Sequence, residues 1–148
     1  MLEKIITSLF IDTESKNDIN FLKNVDFFKK FNIWQLKKIL AIIYKKDYLK
    51  GEIIYNKGEE AKLFCILKMG QVELLNNENK KDIYPNNIFG ERALMCDNEL
   101  YSDTAKVSVK SRVYIIHKYD LEALMDDDTK IGFKIAKMLL YNLYNEVK

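Results

Sequence analysis

The most informative part of this sequence is Phe89-Gly90-Glu91-Arg92-Ala93-Leu94. It places a glycine, an acid and a small residue in a short apolar frame, after a region whose apolar residues alternate as in β-strands. Glycine adopts a positive φ without steric cost, so the chain can turn sharply at position 90. A sharp turn followed by free backbone amides and a carboxylate suits the binding of a phosphate and a sugar hydroxyl.

The composition indicates one ordinary globular domain. The chain has 148 residues, 48% hydrophobic and 31% charged, which is long enough to bury a core. Because the formal net charge is only +2, we expect no nucleic-acid partner, and no apolar run is long enough for a membrane span. We expect a cytoplasmic protein, since the chain lacks a signal-peptide pattern. The two cysteines, Cys65 and Cys96, have no metal-ligand spacing, and Cys65 is predicted to be buried.

Helical patterns occupy both ends of the chain. Apolar residues recur at helical spacing from Met1 to Phe10, which predicts a docked or dimer-forming helix. A helical segment further on should break near Asp26, and Asn32 is placed to cap a helix whose apolar stripe extends from Ile33 to Ile43. Near the carboxyl end, a short helix over 119–125 precedes a long one over 129–148, which Asp128 is placed to cap.

The middle of the chain is predicted to form short strands separated by turns. Apolar runs at 63–67, 72–75, 105–109 and 113–116 indicate separate strands. Asn76-Asn77-Glu78-Asn79 is typical of a turn, and four of the five glycines fall at strand junctions. Several short strands at close spacing favour a sandwich or a closed barrel.

The order of these features resembles the cyclic-nucleotide-binding domain family, of the catabolite-activator and protein-kinase regulatory-subunit type. Lys50-Gly51-Glu52-Ile53-Ile54 and Asn56-Lys57-Gly58-Glu59 resemble its early strand pair, and residues 64–73 resemble a hairpin of the family. Residues 89–94 resemble its phosphate-binding cassette. The resemblance covers Val25 to Leu143 and implies an α+β fold, with an antiparallel β jelly-roll barrel of about eight strands, N-terminal helices, a short cassette helix and C-terminal helices.

The resemblance suggests a single domain in three segments. The first, 1–44, is the N-terminal helical segment. The second, 45–117, is the β-roll with the phosphate-binding cassette at 89–104, and the third, 118–148, contains the C-terminal helices.

The resemblance also implies a role for each cassette residue. The ligand would be cAMP or cGMP, with no further cofactor. Amides after Gly90 would point at the cyclic phosphate, and Glu91 would accept a hydrogen bond from the ribose 2′-hydroxyl. Ala93 would keep the approach to the phosphate clear, and Arg92 would point outward. The residues expected to pack the cassette into the core are Phe89 and Leu94.

The chain departs from the family where an arginine usually pairs with the phosphate. Counting back from the strand at 113–116 puts Tyr101 in the arginine position and Ser102 in the following hydroxyl position. Matching Thr104-Ala105 to the family's motif instead puts Asp103 there, but this register needs a larger insertion, so the first is favoured. Either way a charge-assisted bond of ~1.5–3 kcal/mol is missing, which corresponds to a roughly ten- to hundredfold weaker affinity. Tyr101 and Ser102 would be left as neutral donors.

Two functions remain open from the sequence. One is a stand-alone regulatory sensor domain, in which ligand in the barrel repositions the C-terminal helices. The alternative is a degenerate fold that binds no nucleotide and acts as a protein interaction or dimerisation scaffold through its terminal helices. Tyr141 and Tyr144 on the last helix would stack on a base, as the resemblance implies, or else serve helix packing or a dimer contact. An enzyme is not expected, because no catalytic motif accompanies the single histidine, His117.

Overall fold

The computed structural model describes residues 2–148, except for the side chains of residues 5–12. Along the chain, helices precede and follow a region of strands, as the sequence predicts. The α-helices are α1 (Leu2–Lys23), α2 (Ile33–Leu40), α3 (Lys118–Asp127) and α4 (Thr129–Val147), and 3-10 helices cover Asp26–Phe28 and Glu91–Leu94. The strands are β1 (Ile43–Tyr48), β2 (Ile53–Tyr55), β3 (Leu63–Leu75), β4 (Lys80–Ile83), β5 (Ile88–Phe89) and β6 (Thr104–His117).

The strands form one antiparallel sheet in the order β1-β6-β3-β4, with β2 added to β6 and β5 added to β3. The α+β class is therefore confirmed, although within residues 2–148 there are six strands rather than about eight, and the sheet path does not close. The predicted count was wrong because β3 and β6 are each continuous where the sequence indicated two separate strands.

Gly70 explains the continuity of β3. Its φ is 98°, and a Cβ there would lie 2.6 Å from the carbonyl oxygen of Lys110 on β6. The Ser111 hydroxyl accepts a hydrogen bond from the Gln71 N–H at 3.0 Å, where the β3–β6 register shifts. Gly70 is thus part of an irregularity inside a bent strand, where glycine permits close approach of the two backbones.

The first part of β3 and the second part of β6 are buried on both faces. Cys65 and Leu67 point into an inner core to which all six strands contribute. Their neighbours Phe64 and Ile66 point to an outer core shared with the helices. This alternation follows from the two-residue period of a strand, and it lets one sheet hold the helices on one side while enclosing an interior on the other.

The helices pack on the outer core through buried apolar side chains, and local caps and a few polar contacts fix their ends. Asn32 and Gln35 form the predicted capping box at α2, with hydrogen bonds of 2.9 and 3.0 Å. This helix ends at Leu40, earlier than predicted, because Ile43 begins β1. Buried Asp18 joins α1 to the sheet by accepting from the Tyr114 hydroxyl at 2.6 Å. The predicted apolar face of residues 1–10 lies largely outside the described side chains.

Two further predictions concern membrane-spanning helices and metal-ligating groups. None of the helices within the described residues is both long and apolar enough to cross a membrane. Among the side chains that the structure describes, no group of three or more metal-ligating residues comes together. The cysteines are free, with Cys65 buried and Cys96 exposed.

Candidate ligand-binding site

Gly90 opens the cassette with a left-handed backbone conformation, φ 76°. A Cβ at this position would lie 2.6 Å from the carbonyl oxygen of Leu63, so both conformation and space require glycine. Glu91–Leu94 then form a turn of 3-10 helix, closed by a 3.2 Å bond from the Ala93 N–H to the Gly90 carbonyl. The first N–H groups of such a turn have no acceptor within the helix, and that of Glu91 bonds to its own carboxyl group.

A cavity of about 220 Å³ lies beside this turn. Five of the eight predicted site residues line it, namely Gly90, Glu91, Arg92, Tyr101 and Ser102. The other three pack in the cores instead: Phe89 and Ala93 in the inner one, and Leu94 against the outer one. The cavity is completed by Asp103, the alternative occupant of the arginine position, and by residues that the sequence did not indicate: Tyr55, Leu74, Lys81, Met95, Leu143 and Glu146.

Glu91 presents a half-buried carboxyl to the cavity. Burial raises the pKa of Glu91 above its usual value, and a hydrogen bond from its own backbone opposes this shift. Glu146 on α4 raises the same pKa further, whereas Lys81 lowers it. A partly desolvated carboxylate of this kind gains from a hydroxyl donor, as a sugar would provide.

Tyr101 forms part of the cavity wall rather than reaching into it as a free donor. Its ring stacks on Tyr55 with centroids 3.6 Å apart and an interplanar angle of 14°. Its hydroxyl donates to the Leu63 carbonyl at 2.8 Å and accepts from the Leu63 N–H at 2.8 Å. Burial raises the pKa of Tyr101, so the phenol stays neutral. The hydroxyl therefore already has partners in the residue that also constrains Gly90.

Charged side chains around the cavity are mixed in sign. Glu91, Asp103 and Glu146 bring carboxylates, and Lys81 and Arg92 bring cations. Arg92 is exposed and donates to Glu99 at 2.7 Å. Within the described residues, Lys81 makes no such ion pair.

Asp103 lies next to both cations. Burial raises the pKa of Asp103, and Arg92 and then Lys81 oppose this shift. The sequence indicated Asp103 only as a second possible occupant of the arginine position. It gave no sign of Lys81, which reaches the cavity because β4 pairs with β3 opposite Leu74.

Helix α4 supplies one side of the cavity through Leu143 and Glu146. The two tyrosines considered for stacking on a base are placed differently. Tyr141 lines a separate groove, and Tyr144 is exposed. Ser102 is exposed beside the cavity, where its hydroxyl is accessible to a ligand.

A buried lysine joins the end of the cassette segment to the C-terminal helices. Lys118, the first residue of α3, is 3% exposed and donates to the Cys96 carbonyl at 3.1 Å. At the next junction, a Cβ on Gly132 of α4 would lie 2.9 Å from the carbonyl oxygen of Met125 on α3. Cassette, α3 and α4 are therefore in continuous contact. The burial of Lys118 could not be predicted, because a lysine that follows a strand carries no local sign of burial in the sequence.

Comparison with known proteins identifies the class. A sequence profile of the cyclic nucleotide-binding domain matches residues 45–128, more than half of the chain. The chain therefore belongs to the cyclic nucleotide-binding domain family, whose members are typically regulatory.

Individual relatives agree with this assignment. The cAMP-dependent protein kinase regulatory subunit of Candida albicans is 32% identical over 84 residues, 56% of this chain and 18% of the relative. A cGMP-dependent protein kinase of Eimeria tenella is 25% identical over 132 residues, 80% of this chain and 13% of the relative. This chain thus spans less than a fifth of the length of either protein.

A solved structure supports the fold. The sensor domain of the transcriptional regulator DNR from Pseudomonas aeruginosa superimposes with a TM-score of 0.72 at 22% identity. The match covers 90% of this chain and 93% of that one. At this identity the likeness concerns the fold alone.

Proposed function

We propose that this domain is a regulatory sensor that binds cAMP or cGMP in the cavity beside Gly90. Family membership and the tight turn at residues 90–94 support the location. In this proposal the amides of the turn hold the cyclic phosphate, and Glu91 accepts a hydrogen bond from the ribose hydroxyl. Ser102 adds a neutral donor. Arg92 borders the cavity but remains paired with Glu99.

Lys81 takes the part of the missing arginine in this proposal. It lines the same cavity as the turn, and within the described residues it has no ion-pair partner. A lysine contacts phosphate as a point charge rather than as a two-pronged donor. The contact is therefore less directional than an arginine pair, but it provides the positive charge that Tyr101 and Ser102 lack.

The observation that carries the sensor proposal is that α4 is part of the cavity wall. A ligand shifts a conformational equilibrium only if it contacts the two states differently. A phosphate bound at the turn would repel the Glu146 carboxylate, while the rest of the ligand would contact Leu143. Occupancy would therefore displace the carboxyl end of α4, and the contacts through Lys118 and α3 give a second route between cassette and helix.

Calorimetric titration with cAMP and cGMP tests this function. We expect micromolar binding that Glu91→Ala weakens at least about tenfold, because the ribose contact is lost. Glu78→Ala, which removes an exposed carboxylate from the turn between β3 and β4, is the matched control and should leave binding unchanged. Absence of heat at millimolar nucleotide, in a protein of normal thermal stability, would contradict the sensor proposal.

A specific observation favours a second candidate, an interaction scaffold that binds no nucleotide. The Tyr101 hydroxyl is already bonded to Leu63, and Asp103 adds a carboxylate to the cavity. Meanwhile α4 exposes an apolar stripe with helical spacing, formed by Phe133, Leu140, Tyr144 and Val147. If the domain is a homodimeric scaffold, light scattering should detect a dimer that Leu140→Glu dissociates. Calorimetric titration with nucleotides should then produce no heat. A monomer at all concentrations would exclude a homodimeric scaffold.

A further inference from the structure

A second concave site lies along a different face of α4. This groove has a volume of about 480 Å³ and separates α4 from the segment that follows α1. Four lysines line it: Lys29 and Lys30 on that segment, and Lys134 and Lys137 on α4. Asp26 is the one acidic residue in its lining among the described residues. The groove is therefore strongly positive, although the chain as a whole is nearly neutral.

The groove lysines are available to a ligand, and one of them is held in place. Lys134 donates to the Lys30 carbonyl at 2.8 Å and to the Gln35 side-chain oxygen at 2.7 Å. Both acceptors are neutral, so its charge is not compensated. Within the described part of the chain, Lys29, Lys30 and Lys137 form no ion pair with a carboxylate. Four like charges in one concavity attract an anionic partner by complementarity.

The rest of the lining indicates what kind of anion fits. Met138 and Tyr141 provide apolar surface, and Asn142 and Asn145 provide amide groups that can bond to a peptide backbone. From Lys134 to Asn145 the helix rises ~16 Å, the length of an extended segment of about five residues. An inorganic phosphate would use neither the length nor the apolar surface.

We propose that this groove binds an acidic, extended peptide segment of a partner protein. Its carboxylates pair with Lys29, Lys30 and Lys137, and an apolar side chain between them packs on Met138 and Tyr141. The fixed charge of Lys134 contributes attraction over the middle of the segment. This binding does not require nucleotide in the other cavity, so it is independent of the sensor proposal.

Fluorescence anisotropy with a labelled peptide of about ten residues, alternating glutamate with leucine and serine, tests the proposal. The comparison peptide carries glutamine in place of each glutamate. We expect the acidic peptide to bind, and the glutamine peptide to bind at least about tenfold more weakly, a difference of ~1.4 kcal/mol. The double substitution Lys29→Glu/Lys137→Glu should weaken the acidic peptide by a similar factor.

The matched control is Lys50→Glu/Lys57→Glu, which changes the net charge equally at two exposed lysines outside the groove. It should change affinity less than about twofold, as expected for screened long-range charge. Equal weakening by both double variants, or no binding of the acidic peptide, would overturn the proposal. Tighter binding of inorganic polyphosphate or of a uridine oligonucleotide, with loss in the same groove variant, would replace the peptide with a phosphate ligand. Circular dichroism of each variant verifies folding.

Discussion

Helix α4 borders two concave sites whose charges differ in sign. The cavity beside the cassette has carboxylates from three residues and cations from two, whereas the groove has four lysines and one aspartate. The predicted tight turn at residues 90–94 is present, yet the surrounding side chains do not form a simple anion site. The difference shows that the turn at residues 90–94 is set by local sequence, while the charge of each concave site depends on residues from distant strands and helices.

The largest contrast should appear when one tyrosine is removed from each site. Tyr101→Ala deletes a buried ring, its stack on Tyr55 and both bonds to Leu63, so we expect a loss of ~3–5 kcal/mol in the free energy of unfolding. Tyr141→Ala deletes a ring that is 58% exposed in the groove and should cost less than ~0.5 kcal/mol. Urea denaturation measures both.

Tyr101→Phe separates the hydroxyl from the ring. It retains the stack but leaves the partly buried N–H and carbonyl of Leu63 without their partner, at a cost of ~1–3 kcal/mol. If this variant keeps full stability but loses nucleotide affinity, then the hydroxyl binds the ligand, and the structural role assigned to it is contradicted.

The next contrast compares the removal of two neighbouring lysines on β4. Lys81→Ala should weaken cyclic-nucleotide binding roughly ten- to hundredfold, as expected for loss of a charge-assisted contact of ~1.5–3 kcal/mol. Lys80→Ala is the control on the same strand, because that lysine pairs with Glu73 at 3.0 Å away from the cavity. Calorimetry should detect no effect on acidic-peptide binding from Lys81→Ala. Equal losses of nucleotide affinity in both lysine variants would remove Lys81 from the site.

A smaller effect is expected from the pH dependence of Asp103. Its pKa is raised in the folded protein by burial, so folding disfavours the ionised carboxylate. The penalty is absent below the usual aspartate pKa of ~3.9 and fully present above the raised pKa. Asp103→Asn should therefore raise the melting temperature by about 2 °C at pH 7, and this gain should disappear as the pH falls toward 3.

Calorimetric melting scans of Asp103→Asn across this pH range measure the gain. Asp26→Asn, which removes a carboxylate from the groove, controls for the change in net charge. A gain for Asp103→Asn that persists unchanged at low pH would point to better packing and would contradict the electrostatic cause.

The smallest expected effect is linkage between the two sites. If nucleotide displaces the carboxyl end of α4, the groove residues Asn142 and Asn145 move with it, and peptide affinity should change by about fivefold or less. Anisotropy titrations with and without saturating nucleotide measure the factor. Reciprocity requires the peptide to change nucleotide affinity by the same factor, so unequal factors would exclude this two-site linkage.

Local chemistry made part of this molecule predictable. Asn32 and Asp128 were assigned as helix caps from residue type and position, and the structure has both, with Asp128 accepting from the Ile131 N–H at 3.2 Å. The turn at Gly90 was equally accessible, because a positive φ selects glycine. These features depend on only a few neighbouring residues, so their signals are contained in a short stretch of sequence.

Features that depend on distant pairing could not be predicted. Gly70 was assigned to a strand end, whereas contact with β6 makes it an irregularity inside β3. Tyr101 was expected to be a free donor, but its partner Leu63 lies 38 residues earlier. Lys81 and Glu146 reach the cavity only through strand pairing and helix docking, which leave no mark on their immediate sequence.

The most direct measurement is a two-dimensional amide NMR titration of the isotope-labelled chain with cAMP and with cGMP. We predict that at least one nucleotide shifts the signals of residues 90–103 together with those of Leu143 and Glu146 on α4. Unchanged spectra at millimolar nucleotide would contradict the proposal that nucleotide binds in this cavity. Shifts in the cassette with none on α4 would contradict the proposal that binding affects that helix.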